Sequence, residues 1–170
     1  MKNIVIIGFA TCYKTTVGRL LATRIGCDCI DTDSEIERIR NKSVQQIFET
    51  NGEGYFRQAE NELLQQLVKL NKSTCTVVSC GGGTVLSPNF PLLATGNMVV
   101  CLTATAETVH SRLDGATRPL FDGLTVDQLQ EYLQQRAPLY AKYADITIST
   151  DNKTPQQVAE EVYAKLARLV

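Results

Sequence analysis

The start of the chain constrains everything after it. Ile4-Val5-Ile6-Ile7 is a β-branched run that stops at Gly8, and the loop Phe9-Ala10-Thr11-Cys12-Tyr13 then leads into Lys14-Thr15-Thr16 and a segment with helical periodicity. Strand, glycine-started loop, lysine, hydroxyl residue and helix is the layout of a phosphate-binding loop. Such a loop turns backbone N–H groups and a helix N-terminus toward phosphate oxygens. Lys14 is spaced to reach the outer phosphates, and the Thr15 hydroxyl to sit on Mg²⁺. Gly8, Ala10, Thr11, Cys12, Tyr13, Lys14, Thr15 and Thr16 form the expected cradle.

The rest of the chain alternates between strand and helix patterns. Residues 17–25 put Val17, Leu20, Leu21 and Ile25 at helical spacing before Gly26. Residues 27–33 read as a short strand ending in Asp31 and Asp33. Two short helices are expected over 34–50, with Ser43 and Gln46 as a capping box and Asn51-Gly52 as the stop. A longer helix is expected from 55 to 70, then strands at 76–80, 97–103 and 145–150. Further helices are expected at 105–113, from Thr125 with a bend near Pro138, and from Thr154-Pro155 to the end. Residues 114–124 are too broken by Gly and Pro for regular structure. Alternation of this kind implies one α/β domain with a parallel sheet covered on both faces. Ligands bind at the carboxyl ends of such strands, where Gly8, Asp31, Asp33 and Gly81-Gly82-Gly83 all fall.

Composition excludes more than it assigns. The 170 residues carry a formal net charge of -1, with no basic footprint for nucleic acid. No apolar run approaches the roughly 18–20 residues of a membrane span. Met1-Lys2-Asn3 leads straight into a strand with no export pattern, which places the chain in the cytoplasm. The six cysteines are then read as small apolar residues in or beside strands, with neither a disulfide framework nor a zinc spacing. His110 is read as an exposed helix residue, and Cys12, inside the loop, as a thiol open to oxidation.

A phosphoryl-transfer site needs a phosphate cradle, an oxygen-liganded Mg²⁺, positive charge for the transferring group and an orienting base. Asp31 is placed for the metal, directly or through water, with Ser79 in reach of the same water shell. Asp33 is placed to accept or orient a hydroxyl proton; turn and helix-capping chemistry is the alternative for both aspartates. Gly81-Gly82-Gly83 allows close approach of backbone to a ligand. Arg57, Arg118 and Arg136 suit carboxylate or phosphate, and Arg118 lies in the broken segment, the right kind for a water-excluding lid.

The chain resembles the shikimate kinases over essentially its whole length. The resemblance rests on Ile30-Asp-Thr-Asp33, Gly52-Glu-Gly-Tyr-Phe-Arg57-x-x-Glu60, Ser79-x-Gly-Gly-Gly83, Arg118-Pro-Leu120 and Arg136-x-Pro-Leu-Tyr140-x-x-x-Ala144, in order. It implies a three-layer α/β/α P-loop kinase fold with a five-stranded parallel sheet of order 2-3-1-4-5. It further implies substrate-binding helices over about 33–61, a lid over about 112–124, and a single monomeric domain over 1–170. The implied reaction is ATP- and Mg²⁺-dependent phosphorylation of the 3-hydroxyl of shikimate. By motif, Lys14, Asp33 and Arg118 are catalytic, and Asp33 binds the shikimate hydroxyls. Arg57 and Arg136 clamp the carboxylate, Gly81 and Gly82 contact the ring substituents, and Glu60 supports Arg57 and Asp33. Thr15 and Asp31 hold the metal; Arg112 and Pro155 lie near the adenine.

Tyr13 departs from the pattern, because the family has glycine before the loop lysine. A positive φ there costs an aromatic residue about 1–3 kcal/mol. The expected outcomes are a loop that keeps its shape with the ring turned outward, or a rearranged loop with ATP binding largely lost. Tyr13→Gly is accordingly expected to tighten ATP binding. Two rival readings stand beside the kinase: a non-catalytic relative that binds shikimate, and a kinase for another small hydroxy acid such as gluconate.

Overall fold

The computed structural model describes residues 2–69, 74–113 and 120–169. Five parallel strands form one sheet: β1 (Ile4–Gly8), β2 (Asp28–Asp31), β3 (Thr76–Ser79), β4 (Met98–Thr103) and β5 (Ile146–Ser149). Their order is β2-β3-β1-β4-β5, as the resemblance implies. β1 lies at the centre and is buried at all five positions, which is why it reads as an uninterrupted apolar run. Its register sets Ile6 beside Ser79 on one side and Gly8 beside Leu102 on the other. On β2, Asp31 pairs with Ser79, so β2 and β3 finish level, while β1 runs on past them to Gly8.

Seven helices flank the sheet among the described residues: α1 (Lys14–Ile25), α2 (Thr32–Arg40), α3 (Val44–Leu67), α4 (Phe90–Ala94), α5 (Ala106–Leu113), α6 (Val126–Tyr143) and α7 (Pro155–Ala167). α1 packs beside α7 and over β3, whereas α5 packs beside α6. The capping boxes Ser43/Gln46, Thr125/Gln128 and Thr154/Gln157 are all formed. α1 closes at Gly26, whose φ of 78° belongs to the left-handed cap that glycine adopts without a Cβ clash.

Several boundaries differ from expectation. α1 starts at Lys14 and α2 at Thr32, because the phosphate loop and Asp31 feed directly into their helices. The break at Asn51-Gly52 is real: Gly52 has φ 80° and ψ 170°. No loop follows it, however, and α3 resumes at once. The far end expected for this helix, Leu70, is outside the described residues. The five-residue α4 and a 3₁₀ turn at Thr84–Leu86 were not anticipated, being too short to show a period. α6 continues through Pro138. His110 is half-buried rather than exposed, since α5 lies along α6. Cys12 is fully buried, and burial pushes its thiol above the ordinary value despite Lys14 and Arg112 nearby. It is a packing residue, not a thiol poised for oxidation.

Candidate active site

The phosphate loop begins where β1 passes closest to β4. Gly8 has φ 145°, and a Cβ there would stand 2.1 Å from the Leu102 carbonyl oxygen. Only glycine lets β1 turn into the loop against β4. Thr11 and Tyr13 both take left-handed backbone, with φ 61° and 63°. Tyr13 is the N-cap of α1, and its side chain makes no capping hydrogen bond. α2, α3, α6 and α7, by contrast, are capped by Asp31, Ser43, Thr125 and Thr154. The first turn of α1 therefore keeps its N–H groups for an anion. Lys14 folds across the loop, and its Nζ donates to the Phe9 carbonyl at 2.6 Å.

The Tyr13 ring is half-buried and has a cationic partner. It lies under the Arg112 guanidinium, 3.9 Å from ring centre to Cζ. Arg112 Nη1 donates to the Thr11 carbonyl at 3.2 Å and to Thr150 Oγ1 at 2.9 Å, and Nη2 donates to the Thr150 carbonyl at 2.9 Å. The aromatic residue at the glycine position thus has a cationic partner that is fixed at its own edges.

The metal corner joins β2 to α1. Thr15 Oγ1 donates to Asp31 Oδ2 at 2.6 Å, while Asp31 Oδ1 accepts from the Ser34 N–H at 3.0 Å. Asp31 is thus the cap of α2, and its other oxygen is engaged by Thr15. Ser79, its register partner, is 1% exposed, and its Oγ has no hydrogen-bond partner among the described residues. A hydroxyl, a carboxylate and an orphaned buried hydroxyl are hard oxygen donors, the chemistry that Mg²⁺ and its water shell accept.

The acceptor side is built around the glycine run. A Cβ on Gly81 would meet Asp33 Oδ1 at 2.6 Å, and one on Gly83 would meet Arg57 Nη1 at 2.5 Å. Gly81 N–H donates to Thr32 Oγ1 at 2.9 Å, and the Tyr140 hydroxyl donates to the Gly82 carbonyl at 2.7 Å. Glu60, 1% exposed, accepts from Arg57 Nη1 at 2.9 Å and from Thr84 Oγ1 at 2.5 Å. Glu53 holds the other edge of Arg57, accepting from Nε at 3.2 Å and Nη2 at 3.1 Å. Burial opposes the Arg57 charge, but Glu60 and Glu53 outweigh it and keep the guanidinium protonated. Arg136 brings a buried Nη1 that has no hydrogen-bond partner among the described residues.

These residues line one cleft of about 830 Å³, whose walls include residues 9–16, Asp31, Asp33, Arg57, Glu60, Gly81, Gly82, Arg112 and Arg136. Pro155 opens α7 but is not among the walls. Arg118 and residues 114–119 of the expected lid lie outside the described residues. At the lid's far end, Phe121 stacks on Phe9 of the phosphate loop at 4.8 Å and on Tyr132 of α6 at 5.7 Å. Thr32, Thr84, Tyr140 and Thr150 were missed by sequence reasoning. Each acts through one hydroxyl on a distant backbone or carboxylate, and no local pattern marks such a contact.

A parallel sheet with a phosphate-loop pattern at its central strand, a Thr–Asp corner of oxygen donors and a glycine edge lined by arginine is the architecture of a P-loop phosphotransferase. The chain belongs to the shikimate kinase family, whose model matches residues 11–167. It is 38% identical over 167 residues to the shikimate kinase of Dehalococcoides mccartyi strain 195, covering 97% of this chain and 93% of that one. The shikimate kinase of Moorella thermoacetica is 41% identical over 163 residues, covering 94% and 91%. Among solved structures, the Acinetobacter baumannii shikimate kinase in complex with shikimate superposes with a TM-score of 0.90 at 32% identity, covering 99% of this chain and 94% of that one. The Aquifex aeolicus shikimate kinase gives 0.79 at 30% identity, covering 97% and 96%. A Sinorhizobium meliloti gluconokinase, at 18% identity and a TM-score of 0.63, shares the fold.

Proposed function

We propose that this chain transfers the γ-phosphoryl group of ATP to the 3-hydroxyl of shikimate, giving shikimate 3-phosphate and ADP on the route to aromatic amino acids. It is a phosphotransferase of the shikimate kinase family, and its whole-length similarity to shikimate kinases supports that acceptor. One observation carries the reading furthest. Two arginines, Arg57 held by Glu60 and Glu53 and Arg136 with a buried Nη1 that has no partner among the described residues, share a cleft with Asp33 and the phosphate loop. A small polyol carboxylate is what two guanidinium groups and one aspartate recognise.

In this reading the first turn of α1 and Lys14 take the phosphate chain, with Gly8, Ala10, Thr11, Cys12, Tyr13, Thr15 and Thr16 as the cradle. Arg57 and Arg136 clamp the acceptor carboxylate, and Gly81 and Gly82 bring backbone against its ring substituents. Asp33 orients the 3-hydroxyl and accepts its proton as that oxygen bonds to the γ-phosphorus and the bond to the β–γ bridging oxygen breaks. Lys14, and Arg118 from the lid, neutralise charge on the transferring group. Thr15 and Asp31, with Ser79 through water, are the residues that would hold Mg²⁺, which when bound draws charge from the phosphate oxygens. Arg112 serves the adenine end; Pro155 is assigned there on resemblance alone.

The same reading treats residues 1–170 as one kinase domain, with acceptor helices over about 33–61 and a lid over about 112–124. It makes the protein a monomer in the cytoplasm, where ATP is available and six thiols stay reduced. A net charge of -1 supports no nucleic-acid partner. Among the described residues no helix is long and apolar enough to cross a membrane.

Calorimetry with ATP–Mg²⁺ and separately with shikimate, followed by a coupled ADP-release assay, tests the proposal. Saturable binding of both and shikimate-dependent ADP release are expected. Shikimate binding without nucleotide binding would leave a ligand-binding relative instead of an enzyme. Turnover with gluconate and none with shikimate would move the assignment to another hydroxy acid.

A further inference from the structure

The stacked Tyr13–Arg112 pair stands on the side of the cleft that the acceptor does not use. Asp31, Asp33 and Gly81 follow β2 and β3, to one side of β1. Arg112 ends α5, which follows β4, and it grips Thr150 at the end of β5, to the other side. With phosphates on the loop after β1 and the acceptor toward β2, the nucleoside must extend toward β4 and β5. What meets it there is a guanidinium whose edge is bonded to Thr11 and Thr150 and whose one face is covered by the Tyr13 ring. Arg112 is half-buried and lines the cleft, so it meets a nucleobase by stacking, as arginine does on aromatic planes.

We infer that Tyr13 is a positioning residue for the nucleoside end of the site: its ring backs Arg112 and holds the guanidinium flat across the path of the base. This rests on the kinase reading and adds to it, because it turns the departure from the glycine pattern into a working part. The left-handed backbone at Tyr13 does not argue against it. That strain is already present in the free protein, and only a difference between free and bound states changes affinity. Glycine at 13 removes the strain from both states alike, yet frees the loop backbone and leaves Arg112 without its backing ring. The expectation that Tyr13→Gly tightens ATP binding is thereby reversed.

The test is a series of Tyr13→Phe, Tyr13→Gly and wild type, titrated with ADP–Mg²⁺ in a calorimeter without acceptor, then assayed with ATP and shikimate. Tyr13→Phe keeps the ring and is expected to match wild type within about twofold. Tyr13→Gly is expected to weaken ADP and raise the KM for ATP by about five- to tenfold, the loss of one cation–π contact. The KM for shikimate is expected to stay put, and thermal melting to stay level or rise, since glycine fits a positive φ. Equal or tighter ADP binding by Tyr13→Gly, or a Tyr13→Phe as weak as Tyr13→Gly, overturns the inference. A graded ADP series with no turnover on shikimate overturns the acceptor assignment and leaves this inference standing. Normal turnover with a flat ADP series does the reverse, and a wild type that binds no nucleotide overturns both.

Discussion

At the residue scale, the acceptor side of the cleft is governed by what is missing from Gly81 and Gly83. The spaces their Cβ atoms would fill are taken by the Asp33 carboxylate and the Arg57 guanidinium, so the glycine run sets how close these two groups come to the sheet edge. Gly81→Ala is the most informative single change. Its methyl group would stand 2.6 Å from Asp33 Oδ1 and 3.2 Å from both Glu60 Oε1 and Thr84 Oγ1, and the Thr84–Glu60 bond resists movement on that side. Asp33 therefore gives way. On the proposal that Asp33 orients the acceptor hydroxyl, displacing its carboxylate by about an ångström is expected to cost about a hundredfold in kcat/KM for shikimate. KM for ATP is expected to hold, because the phosphate loop is untouched. Overpacking of this kind destabilises by about 1–3 kcal/mol, which the fold survives. Steady-state kinetics with each substrate varied in turn, with a thermal melt as control, checks the split. A loss shared equally between the two substrates would count against the placement of Asp33.

At the element scale, α2, α3, α6 and α7 start on a side-chain cap, whereas α1 starts on the phosphate loop. Thr154 caps α7 by accepting from the Gln157 N–H at 3.2 Å, while the Gln157 side chain accepts from the Thr154 N–H at 2.8 Å. α7 packs along α1, so its start steadies the layer behind the phosphate loop. Thr154→Ala is expected to cost about 1 kcal/mol and lower Tm by about 2–4 °C, with catalysis intact at low temperature. The three capping boxes were legible in the sequence because a cap needs two residues three apart and nothing else. The glycine-lined sheet edge followed from the same kind of local punctuation, whereas the strand order came from the resemblance alone. The 3₁₀ turn at Thr84–Leu86 and the buried Thr84–Glu60 contact were not legible, since they join residues 24 apart and exist only once β3 and α3 have packed. The destination of the Tyr13 ring was hidden for the same reason. The strain of its backbone could be foreseen from the residue type, whereas its partner Arg112 is supplied from 99 positions further on.

At the scale of the whole molecule, the ends of the neighbouring strands β4 and β5 are tied on the Arg112 side of the sheet by a carboxylate. Asp151 Oδ1 accepts from the Thr105 N–H at 3.0 Å, and its Oδ2 accepts from Ser149 Oγ at 2.7 Å, joining the end of β5 to the segment between β4 and α5. Burial would raise the Asp151 carboxyl, but hydrogen bonds from Thr108, the Thr105 amide and Ser149, with the Arg112 charge, outweigh it and hold it below its ordinary value of 3.8. A carboxyl lowered on folding adds stability that is fully present above 3.8 and is lost as pH falls through the folded value. Glu35, lowered by Arg38, adds to the same acid limb, beginning as pH drops below its ordinary 4.5. The protein is therefore expected to hold its Tm through neutral pH and to lose it below about 4.5, where the first of these carboxylates begins to protonate. Asp151→Asn separates this link from the general rise in positive charge at low pH. At neutral pH the variant is expected to melt below wild type, because the amide lacks the charge that Arg112 and the surrounding donors favour. As pH falls toward 3.8 and beyond, the two melting curves are expected to converge, since wild-type Asp151 is then losing its own charge. A gap in Tm that stays constant from neutral pH to the acid limit would mean that Asp151 holds the two segments by shape alone.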